Sequence, residues 1–160
     1  MLSLQELSDR IEIQGVIAAY GTAVDNHEWT LFDQVFTPDC DCDYTAVADF
    51  RGDREALRQW LSTGLPDGRH YYHLMGTSHI GLDGDEATAT TPCTNPMPTP
   101  DGGVGVFGIW YHDICVRTPD GWRIRDRRME FCYFAPLASG QDSPFTTPWK
   151  QPQGTTAKEP

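Results

Sequence analysis

Apolar residues recur every three or four positions through the first 25 residues of the chain. This spacing places them along one face of an α-helix: Leu4, Leu7, Ile11, Ile17, Tyr20 and Val24. Ser3 and Glu6 have the spacing of a capping box, which predicts that the helix starts near Leu4 and ends at Asp25 or Asn26. Two shorter helices are predicted after the N-cap candidates Thr30 and Asp53.

The pattern changes to strands after residue 68. Alternating or continuously apolar runs predict extended segments at 69–82, 86–94, 104–117 and 122–134, in addition to a short strand at 42–47. Asp83-Gly84-Asp85 and the stretch from Thr118 to Gly121 are hairpin turn signals, and residues 95–103 are predicted to form a loop. Helices followed by a strand meander indicate an α+β fold, with a curved antiparallel sheet wrapped around the N-terminal helices.

Length and composition favour one domain with a substantial core. Residues 1–135 are predicted to form it, and residues 136–160, rich in Pro, Gly, Ser, Thr and Gln, to form an extended tail. A curved sheet closed by a long helix leaves a concave apolar interior, which suits a small-molecule ligand.

The formal net charge of −11 argues against nucleic acid and acidic membrane surfaces as partners. Lys150 and Lys158 are the two lysines, and both lie in the predicted tail, which excludes a Schiff-base lysine in the folded body. We find no signal peptide and no apolar run of the ~20 residues that a membrane span needs. Five cysteines without a C-x-x-C pair favour reduced thiols in the cytoplasm.

Cys40 and Cys42 alternate with acidic residues in Asp39-Cys-Asp-Cys-Asp43. Such a run could attract a metal, but a short strand with both thiols on one face explains it better. We therefore predict no metal and no cofactor.

An ordered set of residues between positions 4 and 134 resembles the SnoaL-like branch of the nuclear transport factor 2-like superfamily. The set comprises Asp9 to Ile13, Tyr20 to Asp25, Trp29 to Phe36, Gly52, Trp60, His73, Leu82 to Asp85, Gly108-x-x-Tyr111 and Arg117 to Ile124. The resemblance implies a cone-shaped α+β barrel with a deep pocket, commonly in a dimer or trimer. Relatives include scytalone and bile-acid dehydratases, ketosteroid isomerase, polyketide cyclases, small subunits of ring-hydroxylating dioxygenases and non-catalytic members, so the fold leaves the function open.

Tyr20, Asp25 and His73 are the candidate catalytic residues, because their spacing is similar to that of the dehydratase branch. Elimination of a β-hydroxyl needs a base and an acid close together, and a histidine oriented by a carboxylate can move the proton. A tyrosine hydroxyl can polarise the substrate carbonyl. Asp25 lies about 140° around the helix from Tyr20, so the two share a pocket only if it wraps the helix end.

Phe36, Trp60, Met75 and Tyr111 are candidate pocket walls. Residues such as Phe36, Trp60 and Met75 are more often plain core. The family resemblance implies an arginine late on the last strand, where this chain has Phe131; Arg128 is the predicted substitute. By strand alternation Arg128 shares a face with Trp122 and Ile124, whereas Arg123, Arg125 and Arg127 are predicted on the solvated face.

These observations predict a cofactor-independent dehydratase or isomerase that acts on a cyclic apolar carbonyl compound, steroid- or polyketide-like. The alternatives are a non-catalytic binding or assembly domain and a dioxygenase small subunit. The strand that carries Phe107, Trp110 and Tyr111 is apolar on both faces, so we expect one face to line the cavity and the other to pack on a partner subunit. The family resemblance implies that this assembly is a homodimer or homotrimer.

Overall fold

The computed structural model describes residues 1–65, 71–99 and 103–137. In these ranges the helices are α1 (Leu4–Asn26), α2 (Phe32–Val35) and α3 (Arg54–Gly64), with a 3-10 turn at Trp29–Leu31 before α2. The strands are β1 (Phe36–Asp43), β2 (Arg51–Gly52), β3 (Leu74–Met75), β4 (His79–Asp83), β5 (Glu86–Pro98), β6 (Val104–Thr118) and β7 (Gly121–Leu137).

The strands form one curved, open sheet in the order β2-β1-β7-β6-β5-β3, and β4 also pairs with β5. The core lies between the inner face of this sheet and the helices, which confirms the predicted α+β fold. The sheet is mixed rather than wholly antiparallel, because β1 runs parallel to β7. β2, α3 and the other strands separate these two in the chain, so no tight turn dictates their relative direction.

The capping box at the start of α1 is present. The Ser3 hydroxyl accepts a hydrogen bond from the Glu6 backbone N–H, and the Glu6 carboxylate accepts one from the Ser3 N–H. At the other end of α1 the cap residue His27 is left-handed, with φ 58°. Both predicted helix boundaries are confirmed.

The apolar face predicted for the first half of α1 is wrong. Leu4, Leu7 and Ile11 are exposed, and the buried face follows Asp9, Ile13, Ile17, Tyr20 and Val24. The reason is a long-range contact: Arg117 of β6 and Trp122 of β7 both bond the Asp9 carboxylate. This contact turns the polar side of the first turns inwards.

The extended segment predicted at 69–82 is interrupted. Residues 66–70 lie outside the described part of the chain. Residues 71–73 are not in a strand, and β3 and β4 follow with a break at residues 76–78. At the break the Gly76 N–H donates to the Pro92 carbonyl at 2.7 Å. A Cβ on Gly76 would lie 2.7 Å from Pro92 Cγ, so glycine permits this close approach.

The loop predicted at 95–103 starts later than expected, because β5 continues to Pro98. In an antiparallel strand the N–H and C=O of one residue point to the same side. The Pro92 carbonyl faces Gly76, so the side on which Pro92 lacks an N–H is the interrupted β3–β4 edge and not the β6 side. Pro92 therefore does not interrupt the pairing of β5 with β6.

β7 also runs further than predicted, to Leu137, past the predicted boundary at 135. The rest of the predicted tail (138–160) lies outside the described residues.

Candidate active site

A cavity of about 240 Å³ lies between the C-terminal half of α1, the helix α3 and the inner face of the sheet. Its walls are largely apolar and include Trp60 of α3, Met97 of β5, Phe107 of β6 and Met129 of β7. The polar side chains that reach it are Tyr20, Tyr44, His73, Asn95 and Tyr111. This is an apolar pocket with a few convergent polar groups, the usual form of a small-molecule site.

His73 and Asp25 form a two-point contact beside the cavity. The His73 backbone N–H donates to Asp25 Oδ2 at 2.9 Å, and His73 Nδ1 lies 2.7 Å from Asp25 Oδ1. Because a carboxylate is an acceptor, Nδ1 carries the proton in this contact. Asp25 thus holds the ring so that its other nitrogen, Nε2, faces Asn95 on the cavity wall.

His73 contacts both Tyr20 and Asp25, although the two point in different directions from α1. The Tyr20 ring lies against the His73 ring, with centroids 5.7 Å apart in an edge-to-face arrangement. Tyr20 and His73 both line the cavity, whereas Asp25 contacts His73 beside it. The structure therefore brings the three predicted catalytic residues together in a row, with Asp25 behind the histidine.

The side chains of Tyr20, Tyr44 and Tyr111 form the floor of the cavity. The Tyr44 hydroxyl donates to the Tyr20 hydroxyl at 3.0 Å, which leaves the Tyr20 proton free for another acceptor. Burial raises the pKa of Tyr20, Tyr44 and Tyr111, so all three are neutral donors at physiological pH. Within the described ranges the buried Tyr111 hydroxyl has no hydrogen-bond partner of good geometry.

A buried ion pair underlies this floor. Arg127 Nε and one terminal nitrogen bind the two oxygens of Asp113, each at 2.7 Å, and both side chains are fully buried. Burial alone lowers the pKa of Arg127, but the Asp113 carboxylate outweighs it and the pKa is raised. The guanidinium lies 4.2 Å from the Tyr20 ring centre and 4.3 Å from that of Tyr111, which holds both rings in place.

The face predicted for Arg127 and Arg128 is wrong. Ile114 pairs with Asp126 and Cys115 with Ile124, so Arg125 is the extra residue of a β-bulge that shifts the alternation by one. Arg127 consequently points into the core, and Arg128 is exposed on the outer face opposite His112. The sequence contains an indication of this arrangement. Asp113 is a carboxylate in an otherwise apolar strand, and a buried carboxylate needs a cation opposite it, here from β7.

The four predicted wall residues divide into two pairs. Trp60 and Tyr111 line the cavity. Phe36 is buried behind Tyr20, with ring centroids 5.9 Å apart, and Met75 borders a separate pocket between α1 and the break at residues 76–78. Phe36 and Met75 thus support the site from behind and do not line the cavity.

Tyr44 and Asn95 were not identified from the sequence. Tyr44 follows β1, and its side chain is brought to Tyr20 by the turn before β2. The prolines and glycines of residues 95–103 predict a loop that includes Asn95, although Ala87, Ala89, Thr91, Cys93 and Asn95 continue one strand face. That alternation was the available signal.

Cys40 and Cys42 lie on one buried face of β1, with their sulfur atoms 3.6 Å apart. This agrees with the interpretation of Asp39 to Asp43 as a strand. Across the described residues, no three His, Cys, Asp or Glu side chains are grouped as metal ligands. No helix there is long and apolar enough to cross a membrane.

A curved sheet around a long helix, with a histidine–carboxylate pair at an apolar cavity, defines the class of this protein. The chain belongs to the SnoaL-like domain family, which matches residues 5–128.

An uncharacterized protein of Mycobacterium tuberculosis is 41% identical over 135 residues, 83% of this chain and 92% of that protein. Among solved structures, hexachlorocyclohexane dehydrochlorinase LinA-type3 from Novosphingobium barchaimii superposes with a TM-score of 0.76 at 15% identity, covering 88% of this chain and 98% of that one. A putative scytalone dehydratase from Novosphingobium aromaticivorans superposes with a TM-score of 0.71 at 18% identity, covering 89% and 97%. These two likenesses show a shared fold.

Proposed function

We propose that this protein is a cofactor-independent lyase or isomerase that acts by acid–base catalysis on a cyclic apolar carbonyl compound. The observation that carries the proposal is the His73–Asp25 pair, placed beside Tyr20 at an apolar cavity. His73 can move a proton, and Tyr20 can donate a hydrogen bond to the carbonyl oxygen of the substrate. Acid–base catalysis on a carbonyl compound requires both functions.

In a dehydration, His73 Nε2 takes the proton from the carbon next to the carbonyl. The C–H electron pair forms a carbon–carbon double bond, the C–O bond of the β-hydroxyl breaks, and that oxygen leaves as water with the proton returned by His73. Asp25 stabilises the imidazolium formed in between. Tyr20 donates a hydrogen bond to the carbonyl oxygen as negative charge develops on it. In an isomerisation His73 returns the proton to another carbon instead.

The size of the cavity narrows the substrate class. A dry cavity of ~150 Å³ holds one benzene ring, and pockets for drug-sized ligands start near ~300 Å³. A cavity of about 240 Å³ therefore favours a compound of one or two rings, polyketide-like, over a four-ring steroid.

The names of two structural neighbours support an elimination reaction, because a dehydrochlorinase and a dehydratase both remove a small molecule across a carbon–carbon bond. A cytoplasmic location is part of the proposal, since the five cysteines are free thiols.

The test is solvent deuterium exchange and loss of water on a panel of cyclic β-hydroxyketones and phenolic ketones, followed by mass spectrometry. Wild-type protein should exchange or dehydrate at least one compound, and His73→Ala and Asp25→Asn should remove that activity with the fold intact. His112→Ala is the matched control, because His112 pairs with Glu130 on the outer face.

Retained turnover in His73→Ala would disprove the assignment of His73. Binding of panel compounds without exchange or dehydration would favour the non-catalytic alternative. Co-purification with a larger iron-binding chain would favour a dioxygenase small subunit.

A further inference from the structure

Asn95 contacts the only ring nitrogen of His73 that Asp25 does not hold. Its side-chain amide lies 3.0 Å from His73 Nε2. The far side of the same amide lies 3.3 Å from two backbone carbonyl oxygens, those of Tyr72 and Pro96. Asn95 is itself buried, so water does not replace these contacts freely.

The two orientations of this amide differ in the proton that they require on Nε2. If Oδ1 faces the ring, Nδ2 donates to both carbonyls and Oδ1 accepts from a protonated Nε2. If Nδ2 faces the ring, Nε2 is an unprotonated acceptor, and Oδ1 is placed against two carbonyl oxygens with nothing to accept. Nδ1 keeps its proton towards Asp25 in both cases.

We propose that Asn95 is a positioning residue for proton transfer, whose amide rotates with the protonation of His73 Nε2 and stabilises the imidazolium form. Once Nε2 is protonated, the Oδ1-inward orientation satisfies three contacts at once, so it stabilises the imidazolium relative to the neutral ring that acts as the base. A substrate that delivers a proton to Nε2 is thereby assisted, since the amide turns to accept the new N–H. This inference rests on the proposed role of His73 as the group that moves the proton.

Few other charges act on His73. Burial raises the pKa of Tyr20 on α1. It also raises the pKa of Tyr71, before β3, and of Cys93, on β5, to about 12. All three side chains are therefore neutral below pH 9. Asp25 contacts the ring directly, and Arg127 of β7 is paired with Asp113 behind Tyr20. Asn95 is thus the neutral group best placed to bias the Nε2 proton.

The experiment is a ¹⁵N NMR titration of the histidine rings from pH 4.5 to 9, which needs no substrate. Asn95→Leu keeps the size of the side chain but removes the acceptor, and we expect the His73 midpoint to fall by about one pH unit. Asn95→Asp supplies a charged acceptor and should raise the midpoint by about the same amount. The midpoint of His112, on the outer face, serves as the internal control and should not move in either variant.

A second measurement uses the wild type alone and does not depend on variants that fold. The Asn95 side-chain NH₂ signals should shift with the same midpoint as the His73 ring, because the amide turns as Nε2 is protonated. An unchanged or higher midpoint in Asn95→Leu, or Asn95 signals that do not follow His73, would overturn the inference. Since neither readout involves turnover, a protein without the proposed activity can still pass or fail this test.

Discussion

Asp25 binds His73 twice, through the backbone N–H at 2.9 Å and through ring Nδ1 at 2.7 Å. The first bond fixes the segment before β3 against the end of α1, and the second fixes the ring on that segment. A carboxylate at a helix end is usually solvated, but here both oxygens are occupied by one residue. The contact converts a helix terminus and an irregular segment into one rigid unit beside the cavity.

Asp25→Asn should change the tautomer of His73 with little change in the fold. Asparagine Oδ1 can still accept from the His73 backbone N–H, but its Nδ2 then faces Nδ1 and requires Nδ1 to be an acceptor. The neutral ring should move from the Nδ1–H to the Nε2–H tautomer, which removes the base from the cavity side. Long-range ¹H–¹⁵N NMR distinguishes the two tautomers. A wild-type pattern of ring shifts in Asp25→Asn would contradict the dyad.

Tyr20→Phe and Tyr111→Phe should differ in stability. Loss of the Tyr20 hydroxyl leaves the buried Tyr44 hydroxyl without its acceptor and should cost about 1–3 kcal/mol. Loss of the Tyr111 hydroxyl breaks no hydrogen bond of good geometry and should change the free energy of unfolding by less than about 0.5 kcal/mol. Urea unfolding measures both. Equal losses would show that Tyr111 is bonded as firmly as Tyr20.

The Arg127–Asp113 pair should be far more costly to break than to replace. Arg127→Met or Asp113→Leu alone leaves an unpaired charge in a fully buried site and should cost about 3–5 kcal/mol. The double variant leaves no charge, so its loss should be much smaller than the sum of the two. A double-mutant cycle in urea measures the coupling. If the loss in the double variant equals the sum of the two single losses, Arg127 and Asp113 do not stabilise each other.

Acid should weaken the fold through Asp9. Hydrogen bonds from Arg117, and less strongly from Trp122 and Gln5, hold the pKa of Asp9 well below its ordinary value. The native state therefore favours the carboxylate, and this stabilisation is fully present above the unfolded pKa of ~3.9 and is lost as the pH falls further. The melting temperature of Asp9→Asn should fall less than that of the wild type between pH 5 and 3. Asp120→Asn, an exposed site, is the control.

The outer face of β6 and β7 should be an interface between copies of this chain. Val104, Trp110, Tyr133 and Leu137 expose apolar surface along it, as is typical of subunit contacts. Sedimentation velocity should show a dimer or trimer that Trp110→Glu dissociates. Ile11→Gln tests the exposed apolar residues of α1 in the same way, and its dissociation of the oligomer would place the interface on α1. A monomeric wild type would contradict the prediction.

Local pattern was sufficient for much of the fold. The capping box of Ser3 and Glu6, the N-cap at Asp53 and the Asp83–Asp85 turn depend on neighbours within a few residues, and the structure has each of them. Tyr20, Asp25 and His73 were also selected from the sequence, but by resemblance to a family and not by geometry.

Tertiary structure decided the face on which side chains lie. A bulge at Arg125 inverts the alternation of β7, so Arg127 and not Arg128 enters the core. A bond from β6 to Asp9 turns α1 about its axis, and His73 spans the 140° between Tyr20 and Asp25. Each of these depends on residues far apart in the chain, 14 positions for Arg127 and Asp113 and 48 for His73 and Asp25. Helix and strand periodicity carries no information over such separations, because it records only which local face is apolar.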